Sequence, residues 1–439
     1  MTLNVINKFS KVHKSPKNWQ IDFPFLIFLI LAVQGNLQLK LLGLIFILLY
    51  RTKAFLTVHY LNLFYFTIIL YHILYGSFNL FFETFSYLPS YLMVLFFWVF
   101  SFCALAQISF FFKINDPIKI EKTINLFFYF NIFFVVIQYI LIVFEFKSIN
   151  PYSVSNSAGD FIKSIYSNSS VNLIVMSFFC LMYFMKKEWK KALAATIVLI
   201  MTTYMSGLVI FLGLLLVSIY FFSKIQLKYK FLILLFGIGF LFIFKEISPT
   251  NVTYASRYIT RIIKNDENTP YKIKSFWQTF DYWTSSVDSF IFGAGGGNFS
   301  SRTAFITSGD YVSWYPNSIS YVSPEFGDHH FGIWKHDFRN PWDNINNTAN
   351  QPFSFYNKII GEYGLVGICL FLVFYINFFV RNGKYLTYSK FMLIVLLGYF
   401  LLDYWYEYFS IIIIFELLVF NDYYLNKGSK SKINYEMGN

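Results

Sequence analysis

Charge is the first thing this chain lacks. Asp, Glu, Lys and Arg make up 13% of its 439 residues, against roughly 25% in an ordinary soluble domain. Hydrophobic residues reach 56%, and a soluble domain of this length could not cover that much apolar surface. Cysteine is nearly absent: Cys103, Cys180 and Cys369 all lie in apolar runs. That spacing excludes a zinc motif and a disulfide framework. Heptads, internal repeats and low-complexity tracts are missing too, which excludes a coiled coil, a solenoid and a disordered chain.

What is present is aromatic and apolar. Phe and Tyr number 58 and 34. A membrane span needs about 20 mostly apolar residues, and twelve runs qualify, near 21–36, 38–50, 56–75, 88–112, 124–146, 170–185, 191–205, 207–222, 229–246, 360–380, 388–404 and 406–421. The first two are short enough to form a hairpin that does not fully cross. Continuous runs exclude a barrel, whose strands alternate, and open sheets cannot span lipid. The expected fold is all-α and polytopic, with about 12 transmembrane helices and one large outward-facing loop subdomain between spans 9 and 10. It divides into a membrane domain over 1–247, the loop over 248–351, and spans 10–12 with a tail over 352–439.

Net charge is +12. In a soluble chain this would suggest nucleic acid; here the basic residues sit in short loops and set orientation, so no nucleic-acid partner is expected. Lys8 to Lys17, Arg51/Lys53, Lys113 to Lys122, Lys186 to Lys191, Lys224 to Lys230, Arg381/Lys384 and Lys427 to Lys432 all fall on one side of the twelve runs. The positive-inside rule makes that side cytoplasmic, with both termini on it. No cleavage-site pattern follows the first run, so it reads as a retained helix. The long loop is nearly neutral, with eight Lys/Arg against nine Asp/Glu.

A polar loop this long among membrane spans reads as functional. Its candidate groups each have a plain alternative. The run Gly293-Ala-Gly-Gly-Gly297 lacks the Lys-Ser/Thr of a nucleotide loop; it marks either a tight turn or backbone passing close to a ligand. Arg257 and Arg261 are four apart and share a helix face, where an anion would relieve their repulsion. With Lys272 and Lys274 they suit a diphosphate, or else a basic patch beside lipid headgroups. His329, His330 and His336 lack metal-ligand spacing and a partner cysteine, so no metal is expected; a general-base or hydrogen-bonding role suits one of them. Trp277, Trp283, Trp314, Trp334 and Trp342 suit sugar faces, or the membrane interface. Glu145, Asp403, Glu407 and Glu416 lie in or near spans; such acids mark proton or ion paths.

Three passages carry a resemblance. Lys163-Ser-Ile-Tyr-Ser-Asn-Ser-Ser-Val-Asn172 leads into a span. Trp283 runs through Phe290-Ile-Phe-Gly293-Ala-Gly295-Gly-Gly-Asn-Phe299. Ser354-Phe-Tyr-Asn-Lys-Ile-Ile-Gly-Glu362-Tyr-Gly364-Leu-Val-Gly367 opens span 10. With the topology, they resemble the O-antigen polymerase and O-antigen ligase family of bacterial envelope glycosyltransferases. Two departures stand out. The family's His-Asn opening of the third passage is Phe353-Ser354 here, and its middle-span Arg is missing at Thr202-Thr-Tyr204-Met205. Losing that histidine favours polymerase over ligase.

The resemblance implies an enzyme of the bacterial inner membrane. It would join undecaprenyl-diphosphate-linked oligosaccharide repeats into a surface polysaccharide on the membrane's outer face, without cofactor. Glu362 joins the three histidines as a catalytic candidate. Lys163, Arg302 and Arg339 join the diphosphate group. A flippase and a chain-length regulator of the same pathway become expected partners, besides membrane lipid. Transfer to a lipid A core is the nearest alternative. A lipid-linked oligosaccharide flippase is the non-enzymatic one.

Overall fold

The computed structural model describes residues 20–56, 59–82, 85–151, 162–222, 269–339 and 351–437, with isolated positions between 223 and 268. Among the described residues every regular element is helical. Five helices are long and apolar enough to cross a membrane: Tyr60–Phe82, Leu88–Ile114, Pro117–Phe146, Phe355–Arg381 and Phe409–Lys427. Five shorter apolar helices accompany them. The ninth expected span, 229–246, lies outside the continuously described residues.

Helices α1 (Phe23–Ala32) and α2 (Leu37–Tyr50) form a hairpin. At about 15 and 21 Å, each is too short to cross alone. Asp22 caps α1 and binds Arg51 beyond the end of α2 at 2.5 Å. Asn115 and Thr123 complete this buried clamp through contacts to the Asp22 carboxylate and amide. The clamp marks one end of the bundle. The hairpin tip ends partway through the bundle, where the Ser410 hydroxyl donates to the Val33 carbonyl.

Helices α3 (Tyr60–Phe82), α4 (Leu88–Ile114), α5 (Pro117–Phe146) and α6 (Ser169–Met185) follow. Side-chain caps from Asp116 and Asn168 start α5 and α6. Residues 191–222 divide as expected into α7 (Trp189–Met201) and α8 (Met205–Phe222). The break falls at Thr202–Tyr204, before the expected Ser206-Gly207, with Thr203 at φ 57°.

The polar stretch contributes α9 (Tyr271–Trp283), α10 (Val287–Ile291), α11 (Arg302–Thr307) and α12 (Gly332–Arg339). Three helices close the bundle: α13 (Phe355–Leu370, continuing to Arg381), α14 (Ser389–Tyr399) and α15 (Phe409–Met437).

Helix α13 is not straight. Gly364 has φ 55° and ψ −150°, a conformation only glycine adopts readily. The rings of Phe355 and Phe371 are 5.3 Å apart, where a straight helix would separate them by about 24 Å. The chain therefore doubles back at Gly364. Helix α14 is also short, and its end meets the start of α13: the Phe355 amide donates to the Phe400 carbonyl at 3.1 Å.

Residues 400–408 link α14 to α15 at the depth where Phe409 stacks on Phe97. Phe97 lies nine residues inside α4, about 14 Å below its loop end. These broken helices make a floor inside the bundle, and residues 294–305 fill the space above it. Irregular backbone at this depth is tolerated because it is enclosed by protein.

Candidate functional site

The second and third passages of the sequence, separated by 54 residues, lock onto each other. The Ala294 and Gly295 amides donate to the Gly361 and Glu362 carbonyls at 2.8 and 3.0 Å. A Cβ on Gly293 would lie 2.6 Å from the Glu362 carbonyl carbon, and one on Gly364 would lie 2.7 Å from the Ile291 carbonyl oxygen. Tyr75 and Tyr87 hydroxyls donate to the Gly293 and Gly296 carbonyls. The glycine run thus lets backbone approach backbone. Its close neighbour is α13, and the ligand-contact reading of this run has no support in the geometry.

That docking carries Glu362 into the interior. Its Oε1 accepts from the amides of Phe299 and Ser300 at 3.3 and 3.2 Å. Its Oε2 is buried without a hydrogen bond of normal geometry, beside the Ser301 side chain.

Cations gather on the same floor, Lys358 beside Glu362, Lys272 beside Asp403, and Arg302 beside Glu407 and Asp403. Lys358, one turn before Glu362 on α13, pairs with Glu407 and lies 4.8 Å from the ring centroids of Phe97 and Trp98. Lys272 is buried and donates to the carbonyls of Phe353 and Leu402, the latter at 2.8 Å. Burial pushes its ammonium down to about 7, with Asp403 opposing. Arg302 covers the Tyr408 ring at 4.4 Å. Tyr311, Glu407 and Asp403 are its other neighbours, and its Nε is buried without a hydrogen-bond partner. Lys40 of α2 is buried at the hairpin tip, 5.6 Å from the Phe409 ring centroid and within electrostatic reach of Arg302. Four cations therefore meet three acids on the floor. Lys40 and Arg302 lie over the neighbouring rings of Phe409 and Tyr408, within electrostatic reach of each other.

His330 sits beside this cluster in a π-helical turn, Gly327–Phe331. Its Nε2 is 3.0 Å from the Ser275 carbonyl and its Nδ1 is 2.6 Å from the Ser300 hydroxyl. A carbonyl only accepts, so Nε2 carries the proton and Nδ1 receives the serine hydrogen. Burial pushes the ring down to about 3, so it is neutral at physiological pH. Thr279 and Asn357 extend the network, and Asn357 also donates to Ser275 and Pro352.

The remaining candidates scatter. His329 is half-buried, with Nδ1 2.8 Å from the Glu325 carbonyl. Lys163 and Arg261 are exposed, and Lys274 lies over the Tyr271 ring. Arg257 and Trp342, and the side chains of His336 and Arg339, lie outside the described residues. Trp334 is buried among Phe305, Tyr311 and Phe331, which leaves no face for a sugar. Trp283 stacks on Phe290. Trp277 and Trp314 are exposed. The expected Arg257–Arg261 face lies outside the described residues, and among the described residues the cations that converge are Lys40, Lys272, Arg302 and Lys358.

Lys40 was missed because it interrupts an apolar run only once, and Lys358 because it stands just before the run 360–380, in a passage read for its resemblance. For Lys40 that lone interruption was the available signal, since an ionisable group at membrane depth is costly to keep. Among the described residues no three His, Cys, Asp or Glu side chains converge on a metal position. No family model matches the chain, and no curated protein or solved structure shows significant similarity to it.

Proposed function

We propose that this chain is a membrane glycosyltransferase that polymerises polyprenyl-diphosphate-linked oligosaccharides, with its site on the floor beneath the polar stretch. The observation that carries the reading is the pair Lys40 and Arg302. Asp403 and Glu407 already neighbour Arg302. No carboxylate among the described residues pairs with Lys40, and a diphosphate at membrane depth would supply its anion. The motif resemblance supplies the sugar chemistry.

In the proposed step, a hydroxyl oxygen of one lipid-linked unit attacks the anomeric carbon of another. The bond from that carbon to the diphosphate oxygen breaks, and its electron pair leaves with the diphosphate. Arg302 and Lys40 stabilise this growing charge. The hydroxyl proton passes to a floor carboxylate, and Glu362 suits this with its buried Oε2 beside Ser301. His330 holds Ser300, and so the amide that grips Glu362. No cofactor enters the step. Membrane lipid surrounds the enzyme, and a flippase and chain-length regulator fit as partners in the bacterial inner membrane.

The test uses purified protein in vesicles with undecaprenyl-diphosphate-linked oligosaccharide. A ladder of repeat multiples and free undecaprenyl diphosphate is expected. Lys40→Ala and Arg302→Ala should each lower the rate about a hundredfold or more with insertion unchanged, and Arg302→Lys should recover part of it. Single transfer to an added lipid A core, without a ladder, would make the protein a ligase. Movement of intact lipid-linked glycan across the bilayer, without transfer, would make it a flippase.

A further inference from the structure

Helix α9 is built inside out. Its protein-facing side carries Lys272, Ser275 and Thr279, all buried and hydrogen-bonded. Its open side carries Trp277, 64% exposed, and Phe280, 53% exposed. A helix on a water-washed subdomain has the opposite arrangement. Asp281, also exposed, lies about 40° from Trp277 and Lys274 about 60° from it, at the edge of that open side, by the 100° advance per residue.

The position of α9 explains the inversion. Its first turn is tied to the floor, where Lys272 binds the Leu402 carbonyl. Its last turn leads into α10, which docks against the middle of α3: the Tyr71 hydroxyl donates to the Phe292 carbonyl at 2.7 Å, and Tyr75 stacks on the Phe292 ring at 5.4 Å. Helix α9 therefore runs alongside the membrane-crossing helices, within their length. Its exposed rings continue through Phe290 and Phe292 onto the exposed side of α3, at Leu74, Phe78 and Phe82. That side of α3 is the outer surface of a helix apolar enough to cross a membrane.

We infer that α9 is a half-span. Its Trp277–Phe280 side lies against bilayer hydrocarbon, and the helix is a one-helix-thick wall between the acyl chains and the buried cations. The occupant of this surface is membrane lipid, because the surface is continuous with the lipid-facing side of α3 and carries the aromatic residues that line such surfaces. The inference requires only that the chain is embedded in a membrane, and holds whatever reaction the floor performs.

Spin labels at Trp277→Cys and Phe280→Cys test it, in full-length protein with Cys103, Cys180 and Cys369 replaced and reconstituted in phosphatidylcholine vesicles. Frequent collisions with oxygen and exclusion of a water-soluble nickel chelate are expected. Access by the chelate would place α9 in water and overturn the inference. Exclusion of both reagents would mean that protein, from a second copy or a partner, covers the face, and would overturn it equally. A parallel measurement needs no cysteine. In brominated phosphatidylcholine the emission difference between wild type and Trp277→Phe should be largely lost, and an unquenched difference would refute lipid contact.

Discussion

At the residue scale His330 offers the clearest handle. Burial holds its folded pKa near 3, against about 6.5 when unfolded. The unfolded chain takes up this proton as pH falls below 6.5, and the folded chain does not. Stability from neutral His330 is thus complete above pH 6.5 and is lost as pH falls towards 3, by at most about 1.4 kcal/mol per pH unit. Lys272 shifts in the same direction, but its loss runs from 10.5 down to about 7. Burial raises the Asp403 carboxyl to about 6, which opposes the loss. The His330 part is therefore read as the difference between wild type and variant. The thermal midpoint of wild type should fall between pH 7 and pH 5, and the fall should shrink in His330→Gln. Equal falls in both proteins would show that His330 does not control acid sensitivity. The sequence marked His330 and Arg302 through residue type and setting. It did not reveal that Lys40 would meet Arg302, because that proximity comes from the hairpin tip folding under the polar stretch.

At the scale of elements, the backbone reversal at Gly364 organises the floor. Its conformation costs roughly 1–3 kcal/mol for any other residue, and a Cβ would also stand 2.8 Å from the Gly293 amide nitrogen. Gly364→Ala should therefore lower the thermal midpoint clearly and separate the two interlocked passages. Gly383→Ala should match wild type, since its Cβ would meet nothing nearer than 3.7 Å. Equal midpoints would remove the interlock as a source of stability. Most helices were legible as apolar runs. The doubling of α13 was not, because hydropathy continues unchanged through Leu365-Val-Gly-Ile, on both sides of which the chain reads as one span. The shortness of α14 was hidden likewise by the apolar aromatic residues of 400–408, which line the floor instead of extending the helix.

At the scale of the molecule, alternating basic turns imply sidedness. Lys187, between α6 and α7, and Trp314, in the polar stretch, are both exposed. In intact cells an impermeant thiol reagent should label Trp314→Cys and spare Lys187→Cys. Labelling of Lys187→Cys alone, or of both, would reverse or abolish the assigned orientation. The boundary at residue 248 was harder to read. The stretch after it is polar enough to look external, yet α9 and residues 294–305 descend to the floor, because polarity in a chain reports what a residue meets and not how deep it lies.

The cation cluster also imposes an order of manufacture. Lys40 lies in the second helix to leave the ribosome, while Arg302, Lys358 and Glu407 follow far later. At about 5–20 residues per second, Lys40 waits roughly 20–70 s before Glu407 is made. Phe409, which closes the floor against α4, comes later still. A chain interrupted before residue 302 holds Lys40 without Arg302. One interrupted before residue 403 still lacks the acids Asp403 and Glu407, so such copies carry an incomplete cluster.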